Sequence, residues 1–175
     1  MRHSKLIIIF TVAFVTLCLM LLDQMHPVFD TTPENAQVTP GQPAPDVAFN
    51  LLDGGTVSLR SLSGHTIWLH FWASWCALCR QEFGGLLKRL QREKDNTILL
   101  AVSGDANAED VRRFLSSFKH DFGPLFESGR VITARDPDHK LIEGTFQTFQ
   151  YPETIIITPD LIMRRKIVGK FGNGQ

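Results

Sequence analysis

Residues 66–82 constrain this chain more than any other stretch, because an apolar strand runs without a break into two cysteines that open a helix. Ile67, Trp68, Leu69, Phe71 and Trp72 put apolar side chains on both faces, which suits a central strand covered above and below. Cys76 falls at the first turn of the following helix. There the unpaired backbone N–H groups and the positive end of the macrodipole favour thiolate over thiol, making Cys76 the attacking sulfur. Cys79 lies three residues on and on nearly the same face, where it can close a disulfide with Cys76 or resolve a mixed one. Phe83, Leu86, Leu87 and Leu90 continue the stripe at i, i+3, i+4 and i+7, so the helix has a side that docks on a core.

The other use of a Cys-x-x-Cys is half of a zinc site, which needs two further ligands in tetrahedral geometry. The remaining cysteine, Cys18, sits in an apolar N-terminal segment, and no histidine has a His-x-His spacing. Redox chemistry is therefore favoured and no metal is expected. The run Phe71-Trp72-Ala73-Ser74-Trp75-Cys76-Ala77-Leu78-Cys79 resembles the active-site stretch of thioredoxins. Its continuation Arg80-Gln81-Glu82-Phe83 is similar, more narrowly, to the membrane-anchored TlpA/ResA/CcmG group of extracytoplasmic thioredoxins. The likeness, with Pro152-Glu153-Thr154 as its second landmark, extends over roughly residues 40–170. It implies an α/β, thioredoxin-like fold with a mixed central sheet, helices on both faces and an added N-terminal hairpin.

The rest of the chain fits that expectation element by element. Arg2 and Lys5 precede 17 uncharged, apolar residues, 6–22, enough helix for about 25 Å at 1.5 Å per residue. That is the short end of a bilayer span, and no Ala-x-Ala-like cleavage site follows. Residues 1–22 are expected to be a signal anchor with its N-terminus in the cytoplasm, the alternative being a cleaved signal peptide. Residues 23–45 hold Pro27, Pro33, Pro40, Pro43 and Pro45 and read as a semi-rigid tether, leaving 46–175 as the domain. Residues 46–51 and 57–59 flank Asp53-Gly54-Gly55, a hairpin signal. A second buried strand is expected at 97–103. Asn107 then caps a helix from 108 to about 119, with Val111, Phe114, Leu115 and Phe118 on its apolar side. Residues 125–126 and 131–133 are expected as short extended pieces, and Asp136-Pro137-Asp138 as a turn or helix start lacking the further ligands of a calcium loop. A hairpin over 155–168, turning at Pro159-Asp160, closes the sheet antiparallel. No amphipathic helix follows it, so one face of the sheet is expected to be partly bare.

Five further residues bear on chemistry. Pro152 matches the cis proline that sits beside the cysteine pair in the resembled families, the other reading being a trans proline opening a strand. Trp75, Tyr151 and Pro152 are accordingly the expected substrate-binding residues, with the Tyr151 backbone free to pair with an extended segment. Glu82, three residues past Cys79, matches a glutamate that assists proton transfer in ResA-like proteins; alone, it reads equally as a solvated helix residue. His70 stands where thioredoxin carries a buried aspartate, and is either a proton acceptor or a satisfied core histidine. Two departures from the pattern are Gly84-Gly85, in place of a helix-kinking proline, and Ala77-Leu78, without a proline between the cysteines.

Together these make the chain an expected extracytoplasmic thiol-disulfide oxidoreductase, anchored in the cytoplasmic membrane with its domain in the periplasm or outside. Cys76 and Cys79 form its redox-active disulfide, with no other cofactor. The resemblance implies protein disulfide substrates, a membrane electron donor and a place in cytochrome c maturation. A copper chaperone using two soft thiolates and a histidine is the alternative from another class, and a thiol peroxidase is a third. Acidic and basic residues balance at 18 each, leaving no basic face for nucleic acid.

Overall fold

Alternation of buried strands with amphipathic helices builds a layered α/β domain, which the computed structural model describes over residues 39–172. The strands are β1 (Ala48–Leu51), β2 (Thr56–Ser58), β3 (Thr66–Trp72), β4 (Thr97–Ser103), β5 (Val131–Arg135), β6 (Glu153–Ile157) and β7 (Met163–Val168). Two long helices, α1 (Ala77–Arg92) and α2 (Ala108–Glu127), join β3 to β4 and β4 to β5. The sheet runs β2-β1-β5-β4-β3-β6-β7. β3, β4 and β5 are parallel, and the β1–β5, β3–β6, β1–β2 and β6–β7 pairs are antiparallel. The sheet is thus mixed, with the added N-terminal hairpin in place. Gly54 and Gly55 make that hairpin's turn with φ of 98° and 80°, values that side chains rarely adopt.

Helical elements cover the two faces unequally. The crossovers from β3 to β4 and from β4 to β5 step in one direction, and right-handed connections then place both helices on one face. There α1 and α2 bury Phe83, Leu87, Leu90, Val111 and Leu115 against Trp68, Trp72, Leu99 and Ala101. The opposite face is covered by Phe49, Leu59, Phe146, the 3-10 turn Arg60–Leu62 and a π-helical turn, Lys140–Thr145. β4 is buried along its whole length, as a strand covered on both sides must be.

Three details differ from the sequence reading or refine it. Helix α2 runs on to Glu127 through Pro124, so residues 125–126 are helical rather than extended. Gly84-Gly85 produces no break in α1; a Cβ on Gly84 would stand 3.3 Å from the Phe118 ring, so the glycine lets α2 pack closely. The sheet surface past β7 is partly covered by Phe171, whose ring lies 4.6 Å from that of Trp68 and under the Arg89 guanidinium. Residues 41–44 pair antiparallel with 161–163. The expected anchor and most of the tether lie outside the described residues, and no described helix is long and apolar enough to cross a membrane.

Candidate active site

Cys76 is the N-cap of α1, as the placement of the pair at the strand end requires, and it is joined to Cys79 in a disulfide with Cα atoms 5.3 Å apart. The Cys79 N–H, one of the donors a helix start leaves unpaired, donates to Cys76 Sγ at 3.1 Å. The sulfurs are not equivalent. Cys79 is fully buried, while Cys76 keeps 8% of its surface and lines a groove of about 430 Å³.

The loop carrying Trp75 is fixed from below by a carboxylate. Asp105, buried just past β4, accepts from Ser74 N–H (2.8 Å), Ser74 Oγ (2.6 Å) and Ser103 Oγ (2.6 Å). Across the groove the Tyr151–Pro152 bond is cis. The Tyr151 ring sits 5.8 Å from the Trp75 indole, which is 66% exposed. Pro152 itself is buried and its carbonyl accepts the Gly169 N–H at 2.8 Å, so Tyr151, not Pro152, faces the groove. The Tyr151 hydroxyl is buried against Gly104, where a Cβ would collide with it. Burial first, then the Glu143, Asp136 and Asp105 carboxylates, push its phenol upward.

The far wall was not foreseen. Asp136 Oδ2 accepts the N–H groups of Leu141 and Ile142 at 2.8 Å each, capping the π-helical turn. His139 enters that turn with φ of 55°, bonds Glu143 Oε1 through Nδ1 at 2.7 Å and reaches the Gly104 carbonyl through Nε2 at 3.0 Å. The Glu143 bond raises the His139 pKa against partial desolvation. The only sequence signal was Asp136-Pro137-Asp138, which announces a cap but not what it orients. Phe149, 77% exposed, completes the rim.

Glu82 lies on α1 one turn past Cys79, on nearly the same face of the helix. Its Oε2 accepts the Phe171 N–H at 3.0 Å, and its Oε1 lies 3.8 Å from His70 Nε2. Desolvation raises its pKa against the lowering pull of the Phe171 amide and the Lys170 charge. His70 is buried, with Nδ1 2.9 Å from Thr154 Oγ1, and burial lowers its pKa to about 3. The fold thus brings Trp75, Cys76 and Tyr151 together at the groove and places Cys79, Glu82 and His70 behind it. Among the described residues no group of three or more His, Cys, Asp or Glu is placed to hold a metal.

Comparison with known proteins decides the family. The profile of the AhpC/TSA family matches residues 40–166. The chain belongs to the AhpC/TSA family. Within it, the chain is ResA/CcmG-like, a branch of the thioredoxin superfamily. It is 31% identical over 120 residues to the thioredoxin-like protein YneN of Bacillus subtilis, covering 67% of this chain and 64% of YneN. It is 24% identical over 131 residues to the thiol-disulfide oxidoreductase ResA of Bacillus cereus, covering 74% and 70%. Among solved structures, the thiol:disulfide interchange protein assigned as DsbE from Chlorobium tepidum superposes with a TM-score of 0.63 at 26% identity, covering 77% of this chain and 88% of that one. The chain therefore spans somewhat under two thirds of the length of YneN.

Proposed function

We propose that this AhpC/TSA-family chain is a thiol-disulfide oxidoreductase that reduces protein disulfides outside the cytoplasm. The observation that carries the reading is one groove-lining sulfur held at a helix N-cap with its buried partner one turn away. Reduced Cys76, as thiolate, attacks a substrate disulfide, forming a Cys76–substrate bond and releasing one substrate thiolate. Cys79 gives its proton to the Glu82 carboxylate and attacks Cys76, closing the Cys76–Cys79 disulfide and releasing the second thiolate. Two electrons pass to the substrate, and both released thiolates take protons from solvent. Return to the dithiol then requires a dithiol donor, for which a membrane protein facing the same compartment is the natural source. The apolar, uncharged residues 6–22 behind Arg2 and Lys5 support membrane anchoring, and the resemblance of residues 71–83 to the TlpA/ResA/CcmG group is what suggests a role in cytochrome c maturation.

Redox equilibration of the full-length chain against glutathione, with insulin reduction alongside, tests this reading. A potential well below that of glutathione and catalysed insulin reduction are expected. Rapid peroxide consumption, or stoichiometric Cu(I) binding without disulfide exchange, would replace it with the peroxidase or the copper chaperone. Phe149 and Trp75 present exposed apolar surface on the groove that Cys76 lines, as a docking rim for polypeptide should. Phe149→Ala is therefore expected to raise KM for insulin roughly tenfold while leaving exchange with glutathione unchanged. Equal effects on both substrates would exclude a docking role.

A further inference from the structure

Behind the cysteine pair, two buried polar atoms without a hydrogen-bond partner face each other: His70 Nε2 and Glu82 Oε1, 3.8 Å apart. Each residue is tied down at its other end. His70 Nδ1 meets Thr154 Oγ1 at 2.9 Å across the β3–β6 pair, in which His70 and Thr154 are register partners. Glu82 Oε2 is held by the Phe171 N–H. Leaving two such atoms open in a dry space is unfavourable unless a proton serves both.

Burial keeps the imidazole neutral through the physiological range, and a neutral imidazole has one donor and one acceptor nitrogen. The threonine hydroxyl can play either part. The chain Thr154–His70–Glu82 then has two self-consistent arrangements. With Glu82 ionised, Nε2–H donates toward Oε1 and the Thr154 hydroxyl donates to Nδ1. With Glu82 protonated, its O–H donates to Nε2 and Nδ1–H donates to Thr154 Oγ1. The two differ by one proton, and a proton entering at Nδ1 while the Nε2 hydrogen passes to Oε1 connects them.

We propose that His70 is a positioning residue for the Glu82 proton, exchanging tautomers so that the buried carboxyl has a partner whether ionised or protonated. The gap of 3.8 Å closes to hydrogen-bonding distance as the carboxyl turns toward the ring. His70 acts through Glu82, not on the sulfurs. Its role in turnover rests on the oxidoreductase reading above, whereas the tautomer exchange itself does not. The groups facing the pair are few. Helix α1 contributes Glu82 and Cys79, and the segment after β7 contributes Lys170 and the Phe171 amide, with Arg89 stacked over the Phe171 ring. Helix α2 turns uncharged rings, Phe114 and Phe118, toward Phe83 beside them. A histidine that merely filled the core would hold one tautomer at every pH.

Nitrogen NMR of the His70 ring and carbon NMR of the Glu82 carboxyl, in the oxidised full-length chain in detergent, test the exchange. Glu82→Gln assigns the carboxyl signal. The Nδ1–H tautomer is expected below the Glu82 transition and the Nε2–H tautomer above it, with one shared midpoint. Thr154→Val keeps the β-branched shape but removes the partner of Nδ1 in both arrangements; a buried N–H left without an acceptor costs more than a ring nitrogen left without a donor, so the midpoint is expected to move to lower pH. A single tautomer throughout the titration, or an unmoved midpoint in Thr154→Val, overturns the proposal. Neither measurement uses turnover, so a chain that exchanges tautomers yet leaves insulin intact supports this pairing and removes the reading above. Insulin reduction with a fixed tautomer does the reverse.

Discussion

Cys76→Ser is expected to bring disulfide reduction down to the uncatalysed level, while Cys79→Ser retains the first attack and stalls. The asymmetry follows from placement. Cys76 Sγ lines the groove and receives the first-turn N–H of Cys79, an arrangement that stabilises a thiolate where a substrate sulfur can reach it. A serine hydroxyl at this position ionises far too weakly to replace it. Cys79 is fully buried, so it can attack only the Cys76 sulfur once that sulfur is bonded to substrate. Without it, each encounter ends in a mixed disulfide, read by mass spectrometry as a stoichiometric adduct on Cys76. Insulin reduction by Cys76→Ser at the parent rate would remove the assignment of the nucleophile. Adducts on Cys79 in the Cys76→Ser chain would reverse the two roles.

How much of this was readable beforehand depended on the distance over which the information is carried. The cysteine pair, its helix and the buried strand before it are local, since period and punctuation specify them within 30 residues. The stripe Val111, Phe114, Leu115 and Phe118 carries the reading of helix α2 only to about residue 119, whereas the helix runs on through Pro124 to Glu127. An interior proline costs about 3 kcal/mol, but Phe122 and Leu125 extend the buried stripe, and each contributes about 1.5–3 kcal/mol on burial. Burial wins, and the helix continues. The unequal covering of the two faces needs the strand order, which no local pattern encodes. The same holds for the groove wall: His139 meets Gly104 across 35 positions, and Phe171 meets Glu82 across 89. Glu82 and His70 were each picked out by residue type and position, but their mutual approach arises only once β3, α1 and the segment after β7 are packed together.

That approach has a consequence for stability in acid. His70 has a folded-state pKa of about 3 against an ordinary 6.5, so below about pH 6.5 the unfolded chain binds a proton that the folded chain refuses. Stability from this group is fully present above that pH and is lost as the pH falls. The loss runs at up to about 1.4 kcal/mol per pH unit and accumulates to roughly 4 kcal/mol near pH 3. Set against a total of about 5–15 kcal/mol for an ordinary domain, that is enough to dominate acid unfolding. Glu82 works in the opposite sense. Its raised carboxyl pKa means that its contribution is present at low pH and disappears as the pH rises through its folded value. Urea midpoints of the oxidised chain are therefore expected to fall steeply between about pH 6.5 and pH 4, before most carboxylates titrate. His70→Leu should lose stability at neutral pH, since it strands Thr154 and Glu82, yet show a visibly shallower fall over that interval. Glu82→Gln should instead gain more stability than the parent between pH 4 and pH 7. If His70→Leu fell as steeply as the parent, the acid sensitivity would belong to other groups and the imidazole would not be held neutral by burial.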